Sequence, residues 1–304
     1  MIKHRSTILL VILLFVGSGL LLYPSVSDYW NSLHRSRAIA GYVQSVARAD
    51  AQSYTRLMRE AEAYNRSLAA TGQNFFISGQ ELERYYSTLN IDDSGIIGYI
   101  EIESIGCSLP IYHGTDDSVL QIAVGHIAGT SLPIGGEGSH CVLSGHRGLP
   151  SAKIFTDLDK LAAGDIFVIR TLNEVLTYEV DRSSIVLPSD VSALAIEQGA
   201  DLCTLVTCTP YGVNSHRLLV RGRRVENRNT AAIRVNADAL ILDRVIVAPI
   251  FAAPLLLAWF LWLIIDTNRK AARNKVRKKL GLAKSPREEG ESIWEPRTTG
   301  KEDF

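Results

Sequence analysis

Two long apolar runs frame the chain. The first covers residues 7–23 and follows Lys3, His4 and Arg5. It is close to the length needed to cross the hydrocarbon core of a bilayer. The segment after it lacks a clean small-x-small cleavage site, so we predict an uncleaved membrane anchor, with a cleaved signal peptide as the alternative.

The second apolar run, residues 245–265, contains 21 residues and no charge. It is typical of a transmembrane helix, in which Pro249 and Pro254 are tolerated. A buried core helix is the alternative, although such helices usually keep a polar face. Seven basic residues follow within 269–279. Positive flanks stay in the cytoplasm, so we predict that both termini are cytoplasmic and that residues of roughly 25–240 lie outside the membrane.

Between the runs, two periodicities follow each other. Apolar residues of 28–70 recur mostly at spacings of three and four, which predicts a helix that ends near Gly72. Residues 71–95 are irregular, with a short helix expected over 79–89. From residue 98 onward, short apolar runs alternate with turn residues, as in a barrel or sandwich. The predicted strands are 98–102, 107–112, 140–145, 166–170, 175–187, 202–208 and 217–224, with short helical pieces near 118–124 and 152–161.

These patterns predict six segments. They are an N-terminal signal-anchor helix (1–24), a helical segment (25–95), a β-rich domain (96–226), a linker (227–243), a transmembrane helix (244–266) and a basic cytoplasmic tail (267–304).

Charge and cysteine content narrow the function classes. The 32 basic and 32 acidic residues balance, and the strongest basic cluster lies outside the predicted folded domain, which argues against nucleic-acid binding. No two of the four cysteines have the C-x-x-C spacing, so no metal site is expected. The four are Cys107, Cys141, Cys203 and Cys208. Outside the membrane, Cys107 and Cys141 could form disulfides, although packing in strands is the simpler expectation.

Cys208 lies in the densest motif, TLVTCTPYG (204–212), at the end of an apolar strand and before a turn. A strand end can hold an exposed nucleophile on a rigid support. Arg217 begins the next strand, and a hairpin would bring it beside Cys208, where it could stabilise a thiolate and then an oxyanion. Arg221 lies on the same face and is the alternative. Cys203 is an odd number of residues from Cys208 and should face the core.

His146 lies in the second motif, LSGHRGLPSA (143–152), at the mouth of a loop. Histidine exchanges protons near neutral pH and commonly partners a catalytic cysteine distant in sequence. The rival histidines are His113, His126, His140 and His216, of which His216 should point away from the face of Arg217. We expect Arg147 to form a structural salt bridge.

Together with LPIYHGT (109–115), GHIAGTSLPIGG (125–136) and HRLLVRG (216–222), these motifs occur in the order found in sortases, and they resemble the class C, pilus-polymerising branch. The resemblance covers roughly residues 95–225. It implies a closed eight-stranded β-barrel, with Cys208 as nucleophile, His146 as general acid and base, and Arg217 as oxyanion stabiliser. Ser144 stands where the family motif has threonine.

The resemblance also implies a reaction. An LPxTG-like sorting signal is cleaved between Thr and Gly through a thioester, and an amine, in class C a pilin lysine, resolves the intermediate without a cofactor. The alternatives are a housekeeping sortase that attaches proteins to the cell wall and a catalytically silent assembly scaffold.

One departure concerns the lid. Class C sortases usually carry an Asp-Pro-aromatic lid motif, and no Asp-Pro pair precedes Gly98. Asn74, Phe75 and Phe76 lie where a lid would fall and are the lid candidates, although packing of the two phenylalanines in the core is an equal expectation.

Overall fold

The computed structural model describes residues 2–227 and short stretches between 259 and 280. The chain divides into two compact units, Met1–Ile241 and Leu242–Phe304. The described parts of the second unit include short helical stretches between 259 and 276. The second predicted membrane span, 245–265, therefore lies largely outside the described residues, as do most of the predicted linker and tail.

Within residues 2–227, the first unit has four α-helices and eight strands. The helices are α1 (Ile2–Arg48), α2 (Ala51–Thr71), α3 (Gln80–Ser87) and α4 (Asp117–Leu120). The strands are β1 (Ile96–Ile102), β2 (Cys107–His113), β3 (Val124–His126), β4 (Ser139–Ser144), β5 (Ile166–Thr171), β6 (Glu174–Val186), β7 (Asp201–Thr209) and β8 (His216–Val225).

The strands form a closed barrel in the order β1-β2-β3-β4-β7-β8-β6-β5. This confirms the predicted eight-stranded fold. All seven strands predicted from apolar runs are present. The eighth strand, β3, was not predicted, because its three residues are too few to show an alternation of apolar and polar positions. The helix expected over 152–161 was wrong, because only Leu158–Lys160 forms a single 3-10 turn.

The helical segment differs from its prediction in two places. The apolar run is continuous with the helix after it, and Pro24 lies inside α1. The predicted helix over 28–70 is interrupted, because α1 ends at Arg48 and α2 begins at Ala51. Asp50 caps α2 by accepting a 2.7 Å hydrogen bond from the Ser53 N–H. Within the described residues, one helix, Ile12–Arg48, is long and apolar enough to cross a membrane.

Helices α1 and α2 are fixed to the barrel by buried polar side chains. The Tyr42 hydroxyl donates to the Ile97 carbonyl at 3.2 Å and accepts from the Leu172 N–H at 2.7 Å. On α2, the Asn65 amide bonds the N–H and the carbonyl of Leu132. Buried backbone groups left without partners are costly, so these bonds set where each helix lies on the barrel.

The two faces of β7 pack against different apolar clusters. Cys203 and Leu205 belong to the main core, whereas Val206 belongs to a second cluster with Val142, Leu194 and Leu219. Since side chains alternate along a strand, Cys208 shares the face of Val206. The predicted nucleophile therefore lies on the face opposite the main core.

Candidate active site

Strands β7 and β8 bring Cys208 and Arg217 side by side. They pair antiparallel, and Cys208 lies directly opposite Arg217, whereas Arg221 lies opposite Thr204. Residues directly opposite on antiparallel strands are close enough for their side chains to interact. The hairpin geometry and the register expected from the sequence are both present.

His146 reaches the same place from the other side of β7. Strands β4 and β7 are parallel, with Ser144 opposite Val206. The Gly145 N–H donates to the Val206 carbonyl at 3.0 Å, and the Thr207 hydroxyl donates to the Gly145 carbonyl at 2.7 Å. Continuing this register by two residues places His146 level with Cys208. The segment that follows β4 thus carries His146 to the height at which β7 and β8 present Cys208 and Arg217.

Thr207 was missed in the sequence analysis, although it stands in the quoted TLVTC segment. Its hydroxyl ties β7 to the residue before His146, and the hydroxyl is fully buried with that bond satisfied. The presence of Thr207 in a largely apolar strand was the available signal, but a buried threonine in a strand is too common to identify a role.

The two arginines of β8 have different partners. Arg217 donates to the backbone carbonyls of Asn214 and His216, at 3.2 and 3.1 Å, and has no acidic partner within the described part of the chain. Arg221 is 8% exposed and binds Asp181 through two hydrogen bonds and Glu197 through a third of 2.6 Å. Arg221 is fully engaged in ion pairs, whereas the charge of Arg217 is not neutralised.

Arg147 forms the predicted salt bridge. Its guanidinium pairs with Asp159 and lies 3.4 Å from the Thr209 hydroxyl. This contact links the residue after His146 to the end of β7, one residue beyond Cys208. The Arg147 side chain is therefore engaged in structural contacts.

Three of the four rival histidines, His126, His140 and His216, have hydrogen-bond partners. His140 bonds the Ala195 carbonyl and the Thr204 hydroxyl, and burial lowers its pKa. His126 bonds Tyr85 and the Ser131 carbonyl. Burial and the neighbouring His126 lower the pKa of His113 to about 4. His216 lies opposite Thr209 and contacts Ser215.

All four cysteines are free thiols. Burial raises the pKa of Cys107 to about 12 and that of Cys203 well above its ordinary value, which makes both poor nucleophiles at neutral pH. Cys141 lies opposite Cys203 in the β4–β7 pair and is also buried. Cys208 is half-buried at the end of its strand. No group of three or more metal-ligating side chains occurs among the residues that the structure describes.

Comparison with known proteins decides the family. The structure of sortase C1 from Streptococcus agalactiae is 49% identical, with a TM-score of 0.62, and the match covers 63% of this chain and 100% of that one. The chain belongs to the sortase family. That places it among cysteine transpeptidases, and a model of the sortase domain matches residues 100–225 of this sortase.

Two further relatives agree. A sortase C from Clostridium perfringens, solved with the C-terminal cell wall sorting motif, is 39% identical, with a TM-score of 0.56, over 62% of this sortase and 98% of that chain. Sortase D of Bacillus subtilis is 32% identical over 42% of this sortase, which spans 63% of that relative.

The Arg221 ion pairs generate a prediction on stability. Partial burial would raise the pKa of Asp181, but the hydrogen bonds and charge of Arg221 outweigh it, so the pKa lies below its ordinary value of 3.8. Arg221→Ala should lower the unfolding free energy by about 2 kcal/mol at pH 7, less than a fully buried pair because Glu197 is half-exposed. Circular dichroism melting of purified protein measures this.

A carboxyl group whose pKa is lowered by folding stabilises the folded protein at pH values above its ordinary pKa. This contribution is lost as the pH falls through the lowered pKa. The difference in Tm between wild type and Arg221→Ala should therefore narrow below about pH 4. Arg223→Ala is the matched control, because Arg223 is half-exposed and lies 3.9 and 3.8 Å from the same two carboxylates. An equal Tm loss in both variants at pH 7 would contradict the assignment.

Proposed function

We propose that this sortase is a membrane-anchored transpeptidase that cleaves an LPxTG-like sorting signal between Thr and Gly and joins the threonine to an amine. The amine that we propose is the side chain of a pilin lysine. The observation that carries the proposal is the common height of Cys208 on β7, Arg217 on β8 and His146, which lies two residues past the end of β4. A nucleophile, a proton carrier and a cation at one point are the groups that acyl transfer requires.

In the first half-reaction, the Cys208 sulfur attacks the threonine carbonyl carbon and the oxygen becomes an oxyanion. Arg217 has no acidic partner among the described residues and is free to bind that oxyanion. His146 gives a proton to the glycine nitrogen as the C–N bond breaks, which leaves a thioester. In the second half, His146 takes a proton from the incoming amine, which attacks the thioester, releases the thiolate and forms an amide.

The pilus assignment is supported by similarity to sortase C1, and the sorting-signal assignment by the C. perfringens sortase C solved with a C-terminal cell wall sorting motif. A housekeeping sortase that attaches proteins to the cell wall would use the same three residues and differ in the amine that it accepts. Mass spectrometry of the product formed from a sorting-signal protein and a pilin identifies that amine.

The proposed topology places both termini in the cytoplasm and the barrel outside. The apolar part of α1 supplies one span, and residues 245–265 are proposed as the second. Anchoring enzyme and substrate in one membrane raises their effective concentration. A reporter fused after Phe304 should be cytoplasmic and one inserted near Asn227 external; the reverse pattern would overturn this topology.

The first prediction from the proposed mechanism concerns the nucleophile. Cys208→Ala should abolish the acyl-enzyme formed with an LPxTG-like peptide, because an alanine methyl cannot form a thioester. Intact-mass spectrometry detects the adduct. Cys107→Ala, Cys141→Ala and Cys203→Ala are controls that should retain it, although the variants at the buried residues Cys141 and Cys203 will lose stability. An adduct in Cys208→Ala would refute the mechanism, and its absence from the wild type would favour a scaffold.

A second prediction concerns the oxyanion. Arg217→Ala should lower kcat by about 100-fold or more with little change in Tm, since a transition-state donor acts on kcat. Lysine should rescue poorly because a point charge does not reproduce a planar fork of donors. Steady-state kinetics with the peptide measures both. Near-normal kcat in Arg217→Ala, together with an inactive but folded Arg221→Ala, would transfer the role to Arg221.

We also propose that Phe75 is the lid residue. It is half-buried and packs against the second cluster, the face of β7 that carries Cys208, whereas Phe76 is 91% exposed. The segment is held by the Asn74 N–H, which donates to the Gly129 carbonyl at 3.3 Å, and by the Gln73 side chain, which donates to the His140 carbonyl. A Cβ at Gly129 would overlap the Asn74 carbonyl oxygen, so glycine is required there.

The lid makes a third prediction. Phe75→Ala removes apolar contact worth roughly 1.5 kcal/mol, which would raise the open population by about tenfold. Alkylation of Cys208 by iodoacetamide and peptide cleavage should both accelerate. Phe76→Ala, the adjacent exposed aromatic, should change neither rate. Unchanged rates in Phe75→Ala, or equal acceleration in both variants, would show that Phe75 is not a lid.

A further inference from the structure

The loop that begins with His146 is bound by helix α1. We define the histidine loop as residues 146–155, because the Phe155 N–H closes it by donating to the His146 carbonyl at 3.0 Å. Its far end is anchored in the core, since Ile154 and Phe155 are buried. Its tip carries a short bridge between Leu149 and Ala152.

Two α1 side chains hold that tip by its backbone. The Asn31 amide donates to the Ser151 carbonyl at 2.8 Å, and the Asp28 carboxylate accepts from the Lys153 N–H at 2.8 Å. Asp28 also lies 3.5 Å from the buried guanidinium of Arg35. Both bonds join residues more than a hundred positions apart, so they are tertiary contacts and not features of a local turn.

The same helix is fixed to the body of the barrel. Asp28, Asn31 and Arg35 fall on one stripe of α1 with Ile39 and Tyr42, since residues three and four apart share a helix face. Ile39 and Tyr42 are buried, and the Tyr42 hydroxyl bonds the backbone of β1 and of the β5–β6 turn. Asn31 and Tyr42 are about 16 Å apart along the axis at 1.5 Å per residue. Thus α1 is a rigid brace between the barrel wall and the histidine loop.

We propose that Asp28 and Asn31 are positioning residues for His146: by clamping the histidine loop to α1, they hold the imidazole level with Cys208 and Arg217. This rests on the proposed function, because it assigns His146 a proton-transfer role. A misplacement of about 1 Å at a reacting group can cost on the order of 100-fold in rate. Since α1 is continuous with the apolar N-terminal run, the helix proposed to enter the membrane also orients the active site.

The test uses the full-length protein in lipid nanodiscs and the double variant Asp28→Ala/Asn31→Ala. Hydrogen–deuterium exchange of residues 147–155 should rise by about tenfold as the loop opens locally. With an LPxTG-like peptide, kcat should fall at least about fivefold while KM stays within about twofold, because proton transfer and not binding is impaired.

Two matched variants separate positioning from general stability. Asp28→Asn keeps an oxygen that accepts from the Lys153 N–H but lacks the charge facing Arg35, and it should stay within about twofold of wild type in kcat. Ser36→Ala removes a hydroxyl that bonds only its own helix, at the Ser32 carbonyl, and should leave exchange and kcat unchanged.

Each outcome decides a separate point. Unchanged exchange in the double variant overturns the clamp. Raised exchange with unchanged kcat overturns the positioning role and leaves the proposed function standing. Equal loss in Asp28→Asn and the double variant overturns the assignment to the Lys153 bond. If wild type forms no acyl-enzyme, the proposed function and the catalytic part of this inference both fail, while exchange still reports on the clamp.

Discussion

The pairing of β7 with both β4 and β8 is the constraint on which the site depends. The parallel register with β4 sets the height of His146, and the antiparallel register with β8 sets that of Arg217. A slip of one residue in either pair would move the partner side chain to the opposite face of the barrel. Burial of Cys203 and Leu205 in the main core makes such a slip costly, so core packing fixes the alignment of the catalytic groups.

Electrostatics then distinguishes two arginines that the sequence places on one face. Asp181 on β6 and Glu197 before β7 neutralise Arg221, and this ion-pair group lies level with Thr204, away from the strand ends. Among the described residues, the Arg217 guanidinium donates hydrogen bonds to carbonyl oxygens and has no acidic partner. A buried cation needs a partner, whereas one at a strand end facing solvent can remain available for a substrate oxyanion. The same residue type therefore serves structure at one position and is proposed for chemistry at the other.

Local patterns in the sequence predicted most of the barrel, because its strands are apolar runs bounded by turn residues. The break at residues 49–50 was missed since it contains no glycine or proline, although Asp50 is of a residue type favoured at helix N-caps. The three residues of β3 were too few to show the alternation that identifies a strand. The Cys208–Arg217 pairing could be predicted from a hairpin, which is local. The parallel β4–β7 pairing could not, because periodicity carries no information on which distant strands meet; family motifs alone associated His146 with Cys208.

A closed barrel also limits what can move. It has no free edge, and β4, β7 and β8 each have a neighbour on both sides, so moving any of these strands would break backbone hydrogen bonds to two neighbours. Three elements around the site are not strands: the histidine loop, the β7–β8 turn and the segment 73–76. Helix α1 holds the first, Gly148 of the histidine loop lies against Tyr211 of the second, and Gly129 and His140 hold the third. Access to Cys208 and the position of His146 can therefore change only if one of these contacts yields. The tip of the histidine loop is held by two hydrogen bonds, and the segment 73–76 by two hydrogen bonds and the packing of Phe75; the free energies involved are small enough for a bound substrate to supply.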